Sequence, residues 1–177
     1  MLKTTSLKAE QLGDQLMKWQ VGERVVYPSR GVGEIVAIEP NEIFGPGKLV
    51  YVLEMIQTSK PRVMIETSKA ENGSLRELIA EEEAKKVILS LKEPLPSTKK
   101  LPWTKLQRIL FDKLASPCLQ DVADVVRALY QLKNVKDLSF SQRRIFDTAI
   151  GLLVQELALS LNRTPESVEE EIRAMFA

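Results

Sequence analysis

Short runs of apolar and β-branched residues dominate the first half of the chain. Each run is bounded by Pro, Gly, Asn or Ser, the residues that favour turns. Short strands joined by tight turns predict a small, strongly bent antiparallel barrel of the SH3 or Tudor type. The predicted strands are 21–28, 32–39, 48–56 and 62–65.

The spacing of apolar residues becomes helical from Ser74 onward. Leu75, Leu78 and Ile79 fit an i, i+3, i+4 pattern that continues to Leu91. Later helices are predicted from Pro102 to about Leu114, from Leu119 to Leu132, from a Ser139–Gln142 capping box to about Leu161, and from a Thr164–Pro165 start.

The two patterns predict an α+β protein of two domains. An N-terminal arm, residues 1–18, precedes the SH3/Tudor-like β-barrel domain, residues 19–73. An all-α helical bundle follows over residues 74–177, and residues 94–102 form a flexible stretch that contains prolines.

Composition narrows the possible functions. Lys and Arg number 25 against 24 Asp and Glu, so the net charge is +1 and any DNA binding must be local or assisted by a partner. The chain has no histidine and a single cysteine, Cys118, which excludes an internal disulfide. No nucleophile–base pair or metal cluster is visible, so an enzyme is the least favoured class of protein. The N-terminus carries no apolar run typical of a signal peptide or membrane span, so we expect a cytoplasmic protein.

Several motifs, in order along both halves, resemble the CarD-like family of bacterial transcription regulators. The first half also resembles the polymerase-interacting domain of the transcription-repair coupling factor. Departures occur at Glu66, where the family often has Pro, at Gly73-Ser74, where it has Val-Gly, and at Asn41, where it tends to have a basic or polar residue. The similar segments are 21–28, 31–33, 38–39, 63–65, 68–72, 75–77, Trp103, 113–116, 124–129 and 152–158.

The resemblance implies a function in transcription. The N-terminal domain is expected to bind the lobe or protrusion of the RNA polymerase β subunit. The C-terminal domain is expected to contact promoter DNA at the upstream edge of the bubble and so to stabilise the open complex. The family implies no catalysis and no cofactor. We also expect no small-molecule substrate, no membrane partner and a location on the nucleoid through RNA polymerase.

Candidate DNA contacts cluster at the start of the second predicted helix. Lys105 and Arg108 share one helix face, and Trp103 lies beside them in the first turn. Lys99 and Lys100 precede them in the flexible stretch. An aromatic ring flanked by cations can wedge at a base step while the cations hold phosphates. The alternative is that Trp103 begins the helical core and the lysines form a solvated face.

Candidate polymerase contacts surround the fourth strand. Pro61 at its entry is typical of an edge strand, which can accept a strand from a partner. Tyr51, Arg62 and Met64 are the candidate side chains, and the resemblance adds Asn41. For Tyr51 and Met64 the alternative is a place in the barrel core.

Two other functions remain open at this point. The protein could be an adaptor that binds polymerase and recruits another protein without touching DNA. It could also be an SH3-like RNA-binding module of the KOW type.

Overall fold

The chain folds as two compact units that divide between Glu77 and Leu78. The computed structural model describes residues 17–57, 59–93, 95 and 101–176. The predicted arm therefore lies outside the described residues except for its last two positions, and so does most of the stretch 94–102. The division falls four residues beyond the predicted boundary at 73/74, because the segment after Ser74 belongs to the first unit.

The first unit is built on a four-stranded antiparallel sheet. Its strands are β1 (Arg24–Tyr27), β2 (Gly31–Pro40), β3 (Leu49–Met55) and β4 (Arg62–Glu66), paired in the order β1-β2-β3-β4. One face covers a core to which distant parts of the unit contribute. The buried residues of that core are Trp19, Val25, Ile35, Tyr51, Leu53, Met55, Ile65, Ala70 and Leu75.

The prediction of a closed barrel was wrong. Within the described residues β1 and β4 do not pair with each other, so the sheet is open. The outer edge of β1 is occupied instead by Arg76, whose backbone exchanges two hydrogen bonds with Val26 at 2.8 and 3.1 Å. Among the described residues, the outer edge of β4 therefore remains the edge of the sheet with no strand beside it.

The same pairing explains why the helix predicted from Ser74 begins later. After β4 the chain makes a helical turn, Thr67–Lys69, and a wider turn, Ala70–Ser74, in which Gly73 has a φ of 100°. Leu75 is then extended and buried in the sheet core. Leu75 fits the spacing of apolar residues in a helix, but its side chain packs in the core of the β unit. The first long helix starts only at Glu81.

The described part of the second unit forms five helices. Both predicted caps are confirmed: Ser139 and Gln142 form a capping box, and Thr164 caps a helix that starts with Pro165. In the part of the chain that the structure describes, no helix is long and apolar enough to cross a membrane. The helices are α1 (Glu81–Ser90), α2 (Trp103–Leu114), α3 (Leu119–Lys133), α4 (Phe140–Ser160) and α5 (Pro165–Met175).

A chain of charged groups ties the ends of α1 and α2 to α3. The Arg127 guanidinium donates to the Glu93 carbonyl just beyond α1, at 2.9 Å from Nε, and to Asp124 at 3.0 Å. The Lys113 ammonium at the end of α2 donates to Asp124 and to Asp121, at 2.9 and 2.7 Å. Arg127 is buried, so its charge is compensated inside the unit by these partners. Burial alone would lower the pKa of Lys113, but the hydrogen bonds to the two aspartates carry it above its usual range.

Replacing the central arginine tests this arrangement. Arg127→Met keeps the aliphatic stem but leaves the Glu93 carbonyl and the Asp124 carboxylate without their donor. We expect a loss of about 1–3 kcal/mol in the free energy of unfolding, measured by urea titration. The control is Arg173→Met, which breaks an exposed pair with Glu169 and should cost about 0.5 kcal/mol or less. Equal losses in both variants would contradict the role given to Arg127.

Candidate functional site

The start of α2 brings the predicted DNA-contact residues together. Pro102 precedes the helix and fixes its entry, which places Trp103 at the first helical position. The Trp103 side chain is half-buried against the helical core, and Lys105 and Arg108 are exposed. The indole is therefore neither sealed in the core nor fully in solvent. Lys99 and Lys100 lie outside the described residues.

The cations at this end of α2 have no carboxylate within salt-bridge distance among the described residues. Lys105 and Arg108 make no ion pair there, whereas Lys113 at the other end of the same helix holds two aspartates. An unpaired, exposed cation keeps its full attraction for a phosphate, because no internal partner must be displaced. The structure thus separates a neutralised end of α2 from a basic end.

A groove opens beside Trp103. It has a volume of about 360 Å³ and lies between the start of α2, the last turns of α3 and the start of α4. Its walls are mostly apolar, with two carboxamides and one ammonium among them. The lining residues are Leu101, Trp103, Leu106, Ala128, Gln131, Leu132, Val135, Lys136 and Gln142.

The first turn of α4 adds residues that the sequence analysis missed. Phe140 is 79% exposed, and the Arg144 guanidinium lies 6.0 Å from the centre of its ring. Arg143 occupies the same turn, where positive charge opposes the helix dipole and so does not serve helix stability. The signal was available in the sequence, because two arginines directly follow a capping box.

A second groove connects α4 with α2. It measures about 340 Å³ and is lined in part by Gln107, Phe111, Phe140 and Arg144. Phe111 is 51% exposed there. Two exposed aromatic rings therefore lie along one groove, on the neighbouring surface of the same two helices that hold Trp103 and Gln142.

Three of the four predicted polymerase contacts lie on or beside the open edge of the first unit. Met64 is 44% exposed on β4, and the Asn41 amide lies 3.3 Å from its sulfur. Arg62 is exposed on the same face of β4, with Glu54 at 3.6 Å. The structure thus brings Asn41 and Met64 into contact and places Arg62 two residues along the strand.

Tyr51 does not belong to this surface. Its ring is fully buried in the sheet core, and its hydroxyl donates to Glu71 while accepting from the Trp19 amide, at 3.2 and 3.4 Å. Burial and the negative Glu71 raise the pKa of Tyr51 to about 12. The side chain positions the segment before β1 and cannot reach a partner, because the core residues enclose it completely.

Two further features of the edge follow from the structure. Ile43, at the tip of the β2–β3 loop, is 90% exposed and was missed because it stands in a loop rich in Pro and Gly. Glu66, one of the departures from the family pattern, pairs with Lys48 at 2.6 Å, and this contact lowers the pKa of the Glu66 carboxyl. Charge on this side is therefore largely internally compensated.

Comparisons with known proteins identify the family. Residues 19–79 match the CarD-like/TRCF RID domain, and residues 86–173 match the CarD C-terminal domain. The chain belongs to the CarD-like family. Its relative in Bacillus subtilis (strain 168), named "Putative transcription factor YdeB", is 32% identical over 151 residues, which cover 85% of this chain and 97% of that protein. CarD-like proteins are transcription regulators and not enzymes, and the RID domain implies interaction with RNA polymerase.

Residues of the CarD-like motifs in the helical half hold its helices together. Lys113 and Ser116 bind Asp121 on α3, and Asp124 and Arg127 complete the same network. These residues are held by hydrogen bonds within the helical unit. Among the described residues there is also no group of acidic or Cys side chains that could hold a metal ion.

The buried phenol of Tyr51 makes stability depend on alkaline pH. The unfolded phenol loses its proton near pH 10, but the folded one keeps it to about pH 12, so stability is complete below pH 10 and falls as the pH rises above it. We expect the fall to reach on the order of 2 kcal/mol by pH 12, and Tyr51→Phe to remove it. Urea titrations from pH 8 to 11.5 measure it, with Tyr27→Phe as the control from the same unit. An unchanged alkaline decline in Tyr51→Phe would contradict the buried phenol as its source.

Proposed function

We propose that this CarD-like protein binds the RNA polymerase β subunit through its first unit and promoter DNA through its second. The DNA contact is made at the upstream edge of the bubble, and the joint binding stabilises the open complex in the cytoplasm. The observation that carries the proposal is the half-exposed Trp103 flanked by the unpaired cations Lys105 and Arg108 at one end of α2.

The DNA contact suits distorted rather than regular duplex. A tryptophan at a base step requires partial unstacking, which costs a few kcal/mol in intact duplex and much less where strands already separate. Two phosphate contacts give only weak and salt-sensitive affinity. The protein can therefore favour the open complex only by binding it better than the closed one, and the fork supplies that difference.

The polymerase contact suits the β4 edge. An open antiparallel edge offers main-chain hydrogen bonds to an added strand. Met64 and Ile43 supply exposed apolar surface beside it, and Arg62 lies at the entry of the strand. We assign this edge, with Asn41, Arg62 and Met64, to the lobe or protrusion of the β subunit. Docking there holds the helical unit close to DNA and raises its effective concentration.

A charge placed at the edge tests the polymerase contact. Met64→Asp is expected to weaken binding to the isolated β lobe by about tenfold or more, because an exposed apolar contact becomes a desolvated carboxylate. Val21→Asp makes the same change at a 56% exposed site before β1 and should leave the affinity unchanged. Binding can be measured by interferometry on the purified lobe. If Met64→Asp binds as well as the unaltered protein, the edge is not the contact.

Truncating the indole tests the DNA contact. Trp103→Ala should shorten the lifetime of the open complex by roughly tenfold, which corresponds to the stacking of one base, without changing affinity for the β lobe. The lifetime is measured by challenge with a competitor after complex formation. An unchanged lifetime would exclude the indole from DNA binding.

A protein–protein adaptor is a second candidate, and the exposed Phe111 and Phe140 are the observation that favours it. An adaptor that recruits a protein through these rings depends on them and not on Trp103. Phe111→Ala and Phe140→Ala in the same lifetime assay therefore serve as matched aromatic controls. Loss of function in those variants with full activity of Trp103→Ala would favour the adaptor.

A further inference from the structure

We propose that the groove beside Trp103 is a receptor for one unpaired nucleobase, which stacks on the indole and is held by the Gln142 amide. The inference rests on the proposed contact with fork DNA and deepens it. Trp103 then forms one wall of a site, and the base moves into the protein at the fork.

The size and walls of the groove fit a flat heterocycle. Its volume of about 360 Å³ falls at the lower end of the range of small-molecule sites, roughly 300–1,000 Å³. Trp103 supplies the aromatic wall, and Leu132, Leu101 and Ala128 supply apolar surface. Proteins that receive a base out of the stack use this combination of aromatic and aliphatic surface with a few polar groups for the base edge.

Gln142 provides the polar group. It is 5% exposed, and its carboxamide oxygen is engaged by the Ser139 amide at 2.8 Å in the capping box of α4. Within the described part of the chain, its Nε2 donates to no acceptor, although the side chain lines the groove. The amide donors are therefore free to bond a ligand that offers a ring nitrogen or a carbonyl oxygen as acceptor. Every nucleobase offers such an acceptor.

The cations near the groove suit the phosphates on either side of a bound base. Lys136 stands on the lining of the groove and forms no ion pair with the described residues, so its ammonium is available for a phosphate. Lys105 lies on α2 two residues beyond Trp103. An apolar peptide side chain would leave the Gln142 donors unpaired and would not use these cations. The charge and the amide therefore favour a nucleotide over an apolar protein partner.

Fork DNA supplies such a base at little cost. Extruding a paired base costs a few kcal/mol, but the first unpaired position has already lost its partner. Recognition of that base would make binding sensitive to strand separation itself, beyond any general attraction to phosphates.

The test uses the full chain with synthetic fork DNA at low ionic strength. In one DNA the first unpaired position carries 2-aminopurine, and in a second it is abasic. We expect the protein to lower 2-aminopurine fluorescence by stacking, and to bind the abasic fork about tenfold more weakly than the fork with the base. Fluorescence anisotropy gives the dissociation constants.

Matched variants then locate the base. Gln142→Glu keeps an oxygen that accepts from the Ser139 amide, and with it the capping box, but replaces the amide donors by a second acceptor. It should reduce the tenfold discrimination to about twofold, whereas Ser141→Glu, which adds the same charge one residue earlier on an exposed site, should keep it. Ala128→Leu fills the groove and should also abolish discrimination, with folding checked by circular dichroism.

The outcomes separate this inference from the proposed function. Equal binding of both forks, together with weaker binding of both by Trp103→Ala, would overturn the base receptor and leave the fork contact intact. Full discrimination in Gln142→Glu would exclude the amide and overturn the site as described. No preference for fork over duplex, and no effect of Trp103→Ala, would overturn both.

Discussion

The hydrogen-bonded chain from Lys113 through Asp124 to Arg127 is the constraint on which the functional surface depends. It fixes the end of α2 to α3, and Arg127 also holds the carbonyl just beyond α1. A helix of 12 residues is a rod of about 18 Å, so fixing one end largely fixes the other. Trp103 begins that rod. The buried Leu106 and Leu110 pack this helix on the core, and the charges at its far end add a fixed point about a helix length from Trp103.

The sequence predicted the features that depend on interactions between residues close together in the chain. The caps at Ser139 and Thr164 and the order of strands and helices were readable, since each depends on neighbours in the chain. The open sheet was not, because it depends on a pairing between Arg76 and Val26, which lie far apart in the chain. Leu75 fits a helical period equally well. The spacing of apolar residues alone could not show that the Leu75 side chain packs in the core of the sheet.

The candidate site was predictable only in part for the same reason. Trp103, Lys105 and Arg108 are close in sequence and were found together. The groove was not found, because it joins three helices and its central amide, Gln142, was interpreted only as a cap. The capping role is correct but incomplete, because Gln142 accepts the Ser139 amide through its oxygen and also lines the groove. Tyr51 is the opposite case. It was a candidate for the binding surface, because the sequence of a single strand does not show which of its faces is buried.

The net charge of +1 averages over two surfaces whose charged side chains are paired to different extents. On the β4 side the charges compensate one another, with Lys48 on Glu66 and both Lys60 and Arg62 near Glu54. At the start of α2 the cations are left unpaired among the described residues. In the proposed function, the first contact thus relies on main-chain and apolar groups that salt affects little, and the second on phosphates that salt weakens. Because the protein binds the polymerase firmly and with little dependence on salt concentration in this proposal, its contact with DNA can stay weak. A weak contact can discriminate an open fork from duplex without binding the polymerase irreversibly to either.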